Sequence, residues 1–178
     1  MIFLFATELE AKAFRIAAPH ATIEICGVGA AQCAASTAHL ISRLRAQGER
    51  KTLILAGIAG SYSLDNVALG EVVEVVSEQI AALPKRFSVT YHAQSKTTLR
   101  AVSSNSVNSQ GESPTDADIE NMEGAVFMAI CQREEVEFIH IRAISNLVGA
   151  SFAQWSIEEA CRALCESLCS LQSVSNKR

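Results

Sequence analysis

Nowhere do the 178 residues supply the roughly 18 consecutive apolar side chains that a membrane-spanning helix requires, although 49% of them are hydrophobic. The apolar residues are therefore expected to fill an interior. Lysine and arginine form no cluster and the formal net charge is −4, which argues against nucleic acid or an anionic membrane as partner. No Ser-His-Asp or Cys-His arrangement is evident. The four histidines, His20, His39, His92 and His140, show no relation to the candidate sites below and read as surface or core residues. There is no Cys-x-x-Cys pair either. Cys161, Cys165 and Cys169 fall at i, i+4, i+8 on one helix face, spread over about 12 Å, too far for three ligands on one zinc. Cys26, Cys33 and Cys131 stand alone in apolar settings, so all six read as small buried hydrophobes in a reducing cytosol, and neither metal nor cofactor is expected. The opening Met-Ile-Phe-Leu-Phe-Ala run is too short for a signal peptide and lacks basic residues, so a cytoplasmic location is expected. Without internal repeats or a composition break, residues 1–178 read as one domain.

What is present is an alternation of strand and helix patterns. Ile2 to Ala6 reads as a buried strand, followed by Thr7 as an N-cap and a helix from Glu8 to about Ala18. Thr22 to Val28 reads as a strand breaking at Gly27-Val28-Gly29 into a long helix to about Gln47. Thr52 to Ala56 is a third apolar run stopping at Gly57, and Val72 to Ala82 a longer extended one. Pro84 to Thr98 has no clear period, and Ser103 to Asp116 is a loop by composition. Val136 to Ile144 reads as a buried parallel strand and Ser156 to Leu171 as a last helix. This order makes an α/β chain.

The most informative stretch is Asp118 to Asn146, because it ends two apolar segments with polar residues: Met122-Glu123 and Ser145-Asn146. Ligands of open α/β sheets bind beyond the carboxyl ends of strands. A carboxylate, an amide and an apolar face would meet there around one small molecule. Read alone, Glu123 equally starts a helix and Asn146 equally caps one. Glu8 and Glu10, after the first strand, equally complement a helix dipole. Gly27-Val28-Gly29 lacks the third glycine and the later acidic residue of a dinucleotide fingerprint; it is either a turn that approaches a ligand or a plain strand-to-helix turn.

Six ordered blocks carry a family resemblance: Ala6-Thr7-Glu8-Leu9-Glu10-Ala11, Cys26-Gly27-Val28-Gly29, Ala56-Gly57-Ile58-Ala59-Gly60-Ser61, Gly70-Glu71-Val72-Val73, Asn121-Met122-Glu123-Gly124-Ala125 and Ile141-Arg142-Ala143-Ile144-Ser145-Asn146. In this order the chain resembles the purine nucleoside phosphorylase-like nucleosidases. The resemblance implies a three-layer α/β/α sandwich with a mixed central sheet, a purine nucleoside as partner, a homodimer and hydrolysis of an N-ribosyl bond. It implies that Glu10 activates water, that Glu123 binds ribose hydroxyls with Met122 against the sugar beside Asn121, and that Ala59 and Gly60 approach the sugar. It places Ser104 and Asn105 in the base-facing segment and Asn146 on the purine.

Within the family, Ser145-Asn146-Leu147-Val148 followed by Trp155-Ser156-Ile157 is most similar to the branch that hydrolyses futalosine in menaquinone biosynthesis. The methylthioadenosine/S-adenosylhomocysteine branch ends the strand in Ser-Asp. A 6-oxopurine presents two acceptors, N7 and O6, whereas adenine presents an acceptor and a donor. An amide NH2 offers two donors, so Asn146 points to hypoxanthine as leaving group. The alternatives are the adenine-specific branch and a nucleoside-binding protein without catalysis. Segments between Ala18 and Ile25 and between Ile80 and Leu99 are shorter than in typical relatives. No arginine near Gly57 to Ser61 or the early glycine turn offers a phosphate clamp, which favours water as nucleophile.

Overall fold

The computed structural model describes residues 1–81, 83–109 and 116–175. In chain order the elements are β1 (Ile2–Phe5), α1 (Glu8–Ala17), β2 (Thr22–Ile25), α2 (Gly29–Ala46), β3 (Leu53–Ser61), β4 (Val72–Ile80), β5 (Thr90–His92), β6 (Arg100–Ser106), β7 (Ile119–Asn121), α3 (Gly124–Arg133), β8 (Phe138–Leu147) and α4 (Ile157–Ser175), with 3-10 turns at Lys85–Phe87 and Phe152–Gln154.

β1 shows why the sheet has a layer on each side. Its four residues are all buried, and alternate ones point to opposite faces. Ile2 and Leu4 join a core made by α2 and α3, whereas Phe3 and Phe5 join one made by α1 and α4. Such two-sided burial accounts for an uninterrupted apolar run. The expected α/β/α sandwich is present, and the sheet is mixed. β2, β1, β3 and β8 run parallel in that order.

Beyond β3 the sheet closes on itself. β3 pairs β8, β8 pairs β4, β4 pairs β6, β6 pairs β7, and β7 returns to β3, so five strands form a ring. Ala59, Val67, Val73, Val75, Val102, Ile119 and Ile144 form a third apolar cluster among these strands.

Several element boundaries differ from those read in the sequence. β3 runs through Gly57 to Ser61 because β8 supplies a parallel ladder along its whole length. The Ser/Asn-rich segment from Ser103 begins as strand β6, not loop, because its polar side chains find buried partners; residues 110–115 of the expected loop lie outside the described residues. Residue 82, the end of the expected Val72 to Ala82 strand, also lies outside them. Pro84 to Thr98 contains one 3-10 turn and β5. Asn146 lies inside β8 instead of following it. Among the described residues no helix is long and apolar enough to cross a membrane.

Candidate active site

The carboxyl ends of β1, β3 and β8 meet the amino ends of α1 and α3, and Glu10 arrives there by helix capping. Thr7 Oγ1 accepts from the Glu10 amide at 3.2 Å, while Glu10 Oε2 accepts from the Thr7 amide at 3.0 Å and its hydroxyl at 2.8 Å. This is a capping box, with both side chains filling otherwise unused helix donors. Phe14, one turn on, stacks 4.6 Å from Phe3 and 6.1 Å from Phe5, fastening α1 to β1. Glu10 Oε1 accepts from the Ile58 amide at 3.0 Å. A carboxylate offers about four lone-pair positions, so three donors leave one free on Oε1.

Arg142 lies nearby, paired in register with Gly57. A Cβ on Gly57 would stand 2.6 Å from Arg142 Nη1 and 2.7 Å from Glu10 Oε1. Only glycine lets both groups approach the strand here. Distant in sequence, Arg142 is brought alongside Gly57 by strand pairing, where the sequence reading expected no arginine able to clamp a phosphate. It is buried and committed inward. Nε donates to His140 Nε2 at 2.8 Å, Nη1 to the Ile58 carbonyl at 3.2 Å, and Nη2 to Asn121 Oδ1 and Glu123 Oε2, each at 3.1 Å. Of its five N–H groups one remains, which makes it a positioning cation and not an open anion clamp.

Glu123 sits at the N-cap of α3, but its side chain does not cap that helix. Oε1 accepts from the Gly29 amide at 2.8 Å, and Gly29 occupies the left-handed region at φ 81°. The early glycine turn thus serves the carboxylate, which retains two lone-pair positions. Asn121 Oδ1 accepts from the amides of Glu123 at 2.9 Å and Gly124 at 2.7 Å, fixing the strand-to-helix turn. Glu10, Glu123 and Asn146 are 7%, 3% and 2% exposed, so a ligand must meet them in a nearly dry environment.

Asn146 lies one strand step beyond this group, paired with Gly60. Its Nδ2 donates to the Leu147 carbonyl at 3.0 Å, and Ser145 Oγ donates to its Oδ1 at 2.8 Å while approaching the Ala59 carbonyl at 3.3 Å. A carbonyl only accepts, so the Leu147 contact fixes which end of the amide is NH2. Met122 is half-buried beside Glu123. Ser104 faces inward, accepting from Asn121 Nδ2 at 2.8 Å. Asn105, the next residue, turns to the other face of β6, donating to the Tyr62 hydroxyl at 3.1 Å and accepting from Gln79 at 3.0 Å. The structure thus brings Glu10, Asn121 and Glu123 together around Arg142, puts Ala59, Gly60 and Asn146 next along β3 and β8, and separates Asn105 from Ser104.

Behind Arg142 lie two groups that the sequence reading did not assign to the site. His140, read as an unrelated histidine, is its direct partner; Glu78, on β4, lies 3.7 Å from His140 Nδ1. Both are fully buried. Burial pushes the Glu78 carboxyl up to about 7, against the hydrogen bond from Asn121 and the charge of Arg142. The signal that could have found this group is the appearance of His140 and Arg142 two residues apart in an apolar strand, hence on one face.

Cys26, Cys33, Cys131 and Cys161 are buried, whereas Cys165 and Cys169 are partly so. Burial raises the Cys131 thiol and pushes that of Cys161 up to about 11, keeping both uncharged. Among the described residues no three His, Cys, Asp or Glu side chains are placed to hold a metal ion. A cleft of about 670 Å³ opens at the opposite, amino-terminal ends of β3 and β8, lined by Arg45, Lys51, Thr52 and Glu134 among others, and includes none of the site residues.

No protein-family profile and no curated protein sequence matches the chain. Solved structures do. The 5'-methylthioadenosine/S-adenosylhomocysteine nucleosidase of Helicobacter pylori, with butyl-thio-DADMe-Immucillin-A, superposes with a TM-score of 0.81 at 14% identity, covering 97% of each chain. The native futalosine hydrolase of H. pylori gives 0.79 at 14%, covering 97% of this chain and 96% of the other. The apo 5'-methylthioadenosine nucleosidase of Arabidopsis thaliana gives 0.79 at 16%, covering 99% and 96%. The chain therefore has the fold of these nucleosidases.

Proposed function

We propose that the chain is a nucleosidase that hydrolyses the N-glycosidic bond of a purine nucleoside, with futalosine as substrate and hypoxanthine as the departing base. The observation that carries this reading is the placement of two buried carboxylates, Glu10 and Glu123, on either side of Arg142 and the Ile58 peptide. Similarity of fold to nucleosidases supports the same reading.

Breaking an N-ribosyl bond builds positive charge on the sugar and negative charge on the base. Glu10 would use the free position on Oε1 to orient a water and take its proton as the water attacks the anomeric carbon. Glu123 would accept hydrogen bonds from ribose hydroxyls through its two unused positions and lend its charge to the cationic sugar. Met122 would pack against the ribose, and the peptides of Ala59 and Gly60 would border it. Because Ser145 and Leu147 hold the Asn146 amide, its remaining Nδ2–H would donate to N7 or O6 of a 6-oxopurine. Ser104 supports this site through Asn121 and does not itself touch the base in this reading. The enzyme would act as a homodimer, which sedimentation equilibrium tests directly.

Incubation with futalosine, inosine and methylthioadenosine, followed by chromatography of free bases, is the direct test. Hypoxanthine released from futalosine, but not from inosine, is the expected result. Adenine from methylthioadenosine alone would assign the chain to the adenine branch; no base from any substrate would leave a binding protein. Glu10→Ala is expected to abolish release with the fold intact by circular dichroism, and retained turnover would remove Glu10 as the water base. Asn146→Asp is expected to move the kcat/KM ratio toward adenine nucleosides; an unchanged ratio would remove the amide from base selection.

A further inference from the structure

His140 and Glu78 form a buried couple behind Arg142 that the proposed reaction does not use. A guanidinium keeps its protons at any working pH, so Arg142 Nε always donates to His140 Nε2. Nε2 must then carry a lone pair, and the neutral imidazole must hold its proton on Nδ1. Nδ1 has no hydrogen-bond partner among the described residues and points toward Glu78 Oε2 at 3.7 Å.

A second proton on His140 would have to sit on Nε2, directly against the Arg142 N–H. Burial, and then the Arg142 charge, push this histidine well below its ordinary range, consistent with that conflict. The groups packed around the ring leave no route to relieve it. From α3 come Gly124, where a Cβ would collide with His140 Cε1 and Glu78 Oε2, and the Phe127 ring, 6.4 Å away. From β4 comes Glu78, itself accepting from Asn121 Nδ2 at 2.8 Å and from Ser106 Oγ at 3.2 Å. From β8 itself comes Arg142, beyond which lies Glu123.

We propose that His140 is a positioning residue: held as the Nδ1–H tautomer between Glu78 and Arg142, it fixes the rotation of the guanidinium so that Ile58, Asn121 and Glu123 are all held together. Without an acceptor at Nε2, the guanidinium can turn about its Nε bond and Glu123 loses its fixed partner. The consequence for sugar binding rests on the nucleosidase reading; the tautomer does not.

The test therefore has two arms. In the full chain, long-range 15N NMR of the imidazoles is expected to show His140 as the neutral Nδ1–H form, unchanged between about pH 5.5 and pH 8. In the base-release assay, His140→Phe is expected to lower kcat/KM about 10- to 100-fold through misplacement of Glu123. His140→Gln, which offers an acceptor oxygen to Arg142, is expected to restore it to within a few fold. An Nε2–H tautomer, ordinary titration of His140, full activity in His140→Phe, or equal impairment of both variants would overturn the proposal. If the parent chain releases no base from any nucleoside, the reading of function falls, and the NMR arm alone decides the role of His140.

Discussion

β8 runs between two kinds of surroundings. Ile139, Ile141 and Ala143 point into the purely apolar core beneath α1 and α4. His140 and Arg142, between them on the same backbone, point into a cluster of carboxyl, amide and hydroxyl groups contributed by β4, β6, β7 and the start of α3. Burial is equally complete on both sides, but the forces differ. The apolar side is held by area withdrawn from water, which tolerates a change of shape if volume is kept. The polar side is held by mutual satisfaction of donors and acceptors, in which each group lost strands a partner in a low-dielectric interior.

The sharpest way to break this contrast is Arg142→Met, which keeps length and removes the cation. With Glu123 left buried and unpaired, a loss of roughly 3–5 kcal/mol in urea unfolding is expected, together with loss of base release. A stability change below about 1 kcal/mol would show that the polar side tolerates substitution as the apolar side does. Ile141→Ala on the opposite face is expected to cost about 3 kcal/mol through a cavity, with kcat/KM nearly unchanged in the protein that remains folded. A large catalytic loss there would mean that the two faces are not separable.

Glu78→Gln probes the polar side through pH. The folded-state pKa of Glu78 is raised to about 7 from an ordinary 4.5, so between these values the folded chain holds more protons than the unfolded one. Its contribution to stability is therefore fully present below about pH 4.5, falls as pH rises, and levels off above about pH 7. Glutamine does not titrate, so the variant's stability relative to the parent is expected to improve by about 2–3 kcal/mol between pH 4.5 and pH 8, measured by urea unfolding at each pH. A difference independent of pH would place Glu78 outside the buried charge balance.

The apolar side was the legible one. Two-sided burial writes itself into sequence as an unbroken run, and the Thr7 to Glu10 spacing announces its cap, so β1, α1 and most of β8 could be read directly. Glu10 and Glu123 were recognisable as polar residues after strands, whereas Asn146, expected to follow its strand, lies inside β8. What could not be read is the partner of each. Arg142 reaches Gly57 across 85 positions of sequence because two parallel strands align in register, and no local pattern encodes that pairing. β6 escaped notice because Ser103 to Ser106 has the composition of a loop; it is a strand only because Glu78, Asn121 and Asp118 satisfy its hydroxyls. Asn105 shows the converse: expected beside Ser104 in one segment, it lies on the same strand, but period two turns its side chain to the other face.

The ring of β3, β8, β4, β6 and β7 also bears on how this chain behaves in a crowded solution. A strand with an unpaired flank is a template for another strand, and closure removes that flank from the five ring members wherever they pair. Among the described residues the sheet ends only in β2, four residues long, and β5, three residues long. Glu24 on β2 is further engaged by Arg43 from α2. Two edges this short offer little length for a second sheet to continue the ladder, so the same closure that gathers Arg142 and its partners also protects the protein against edge-to-edge growth.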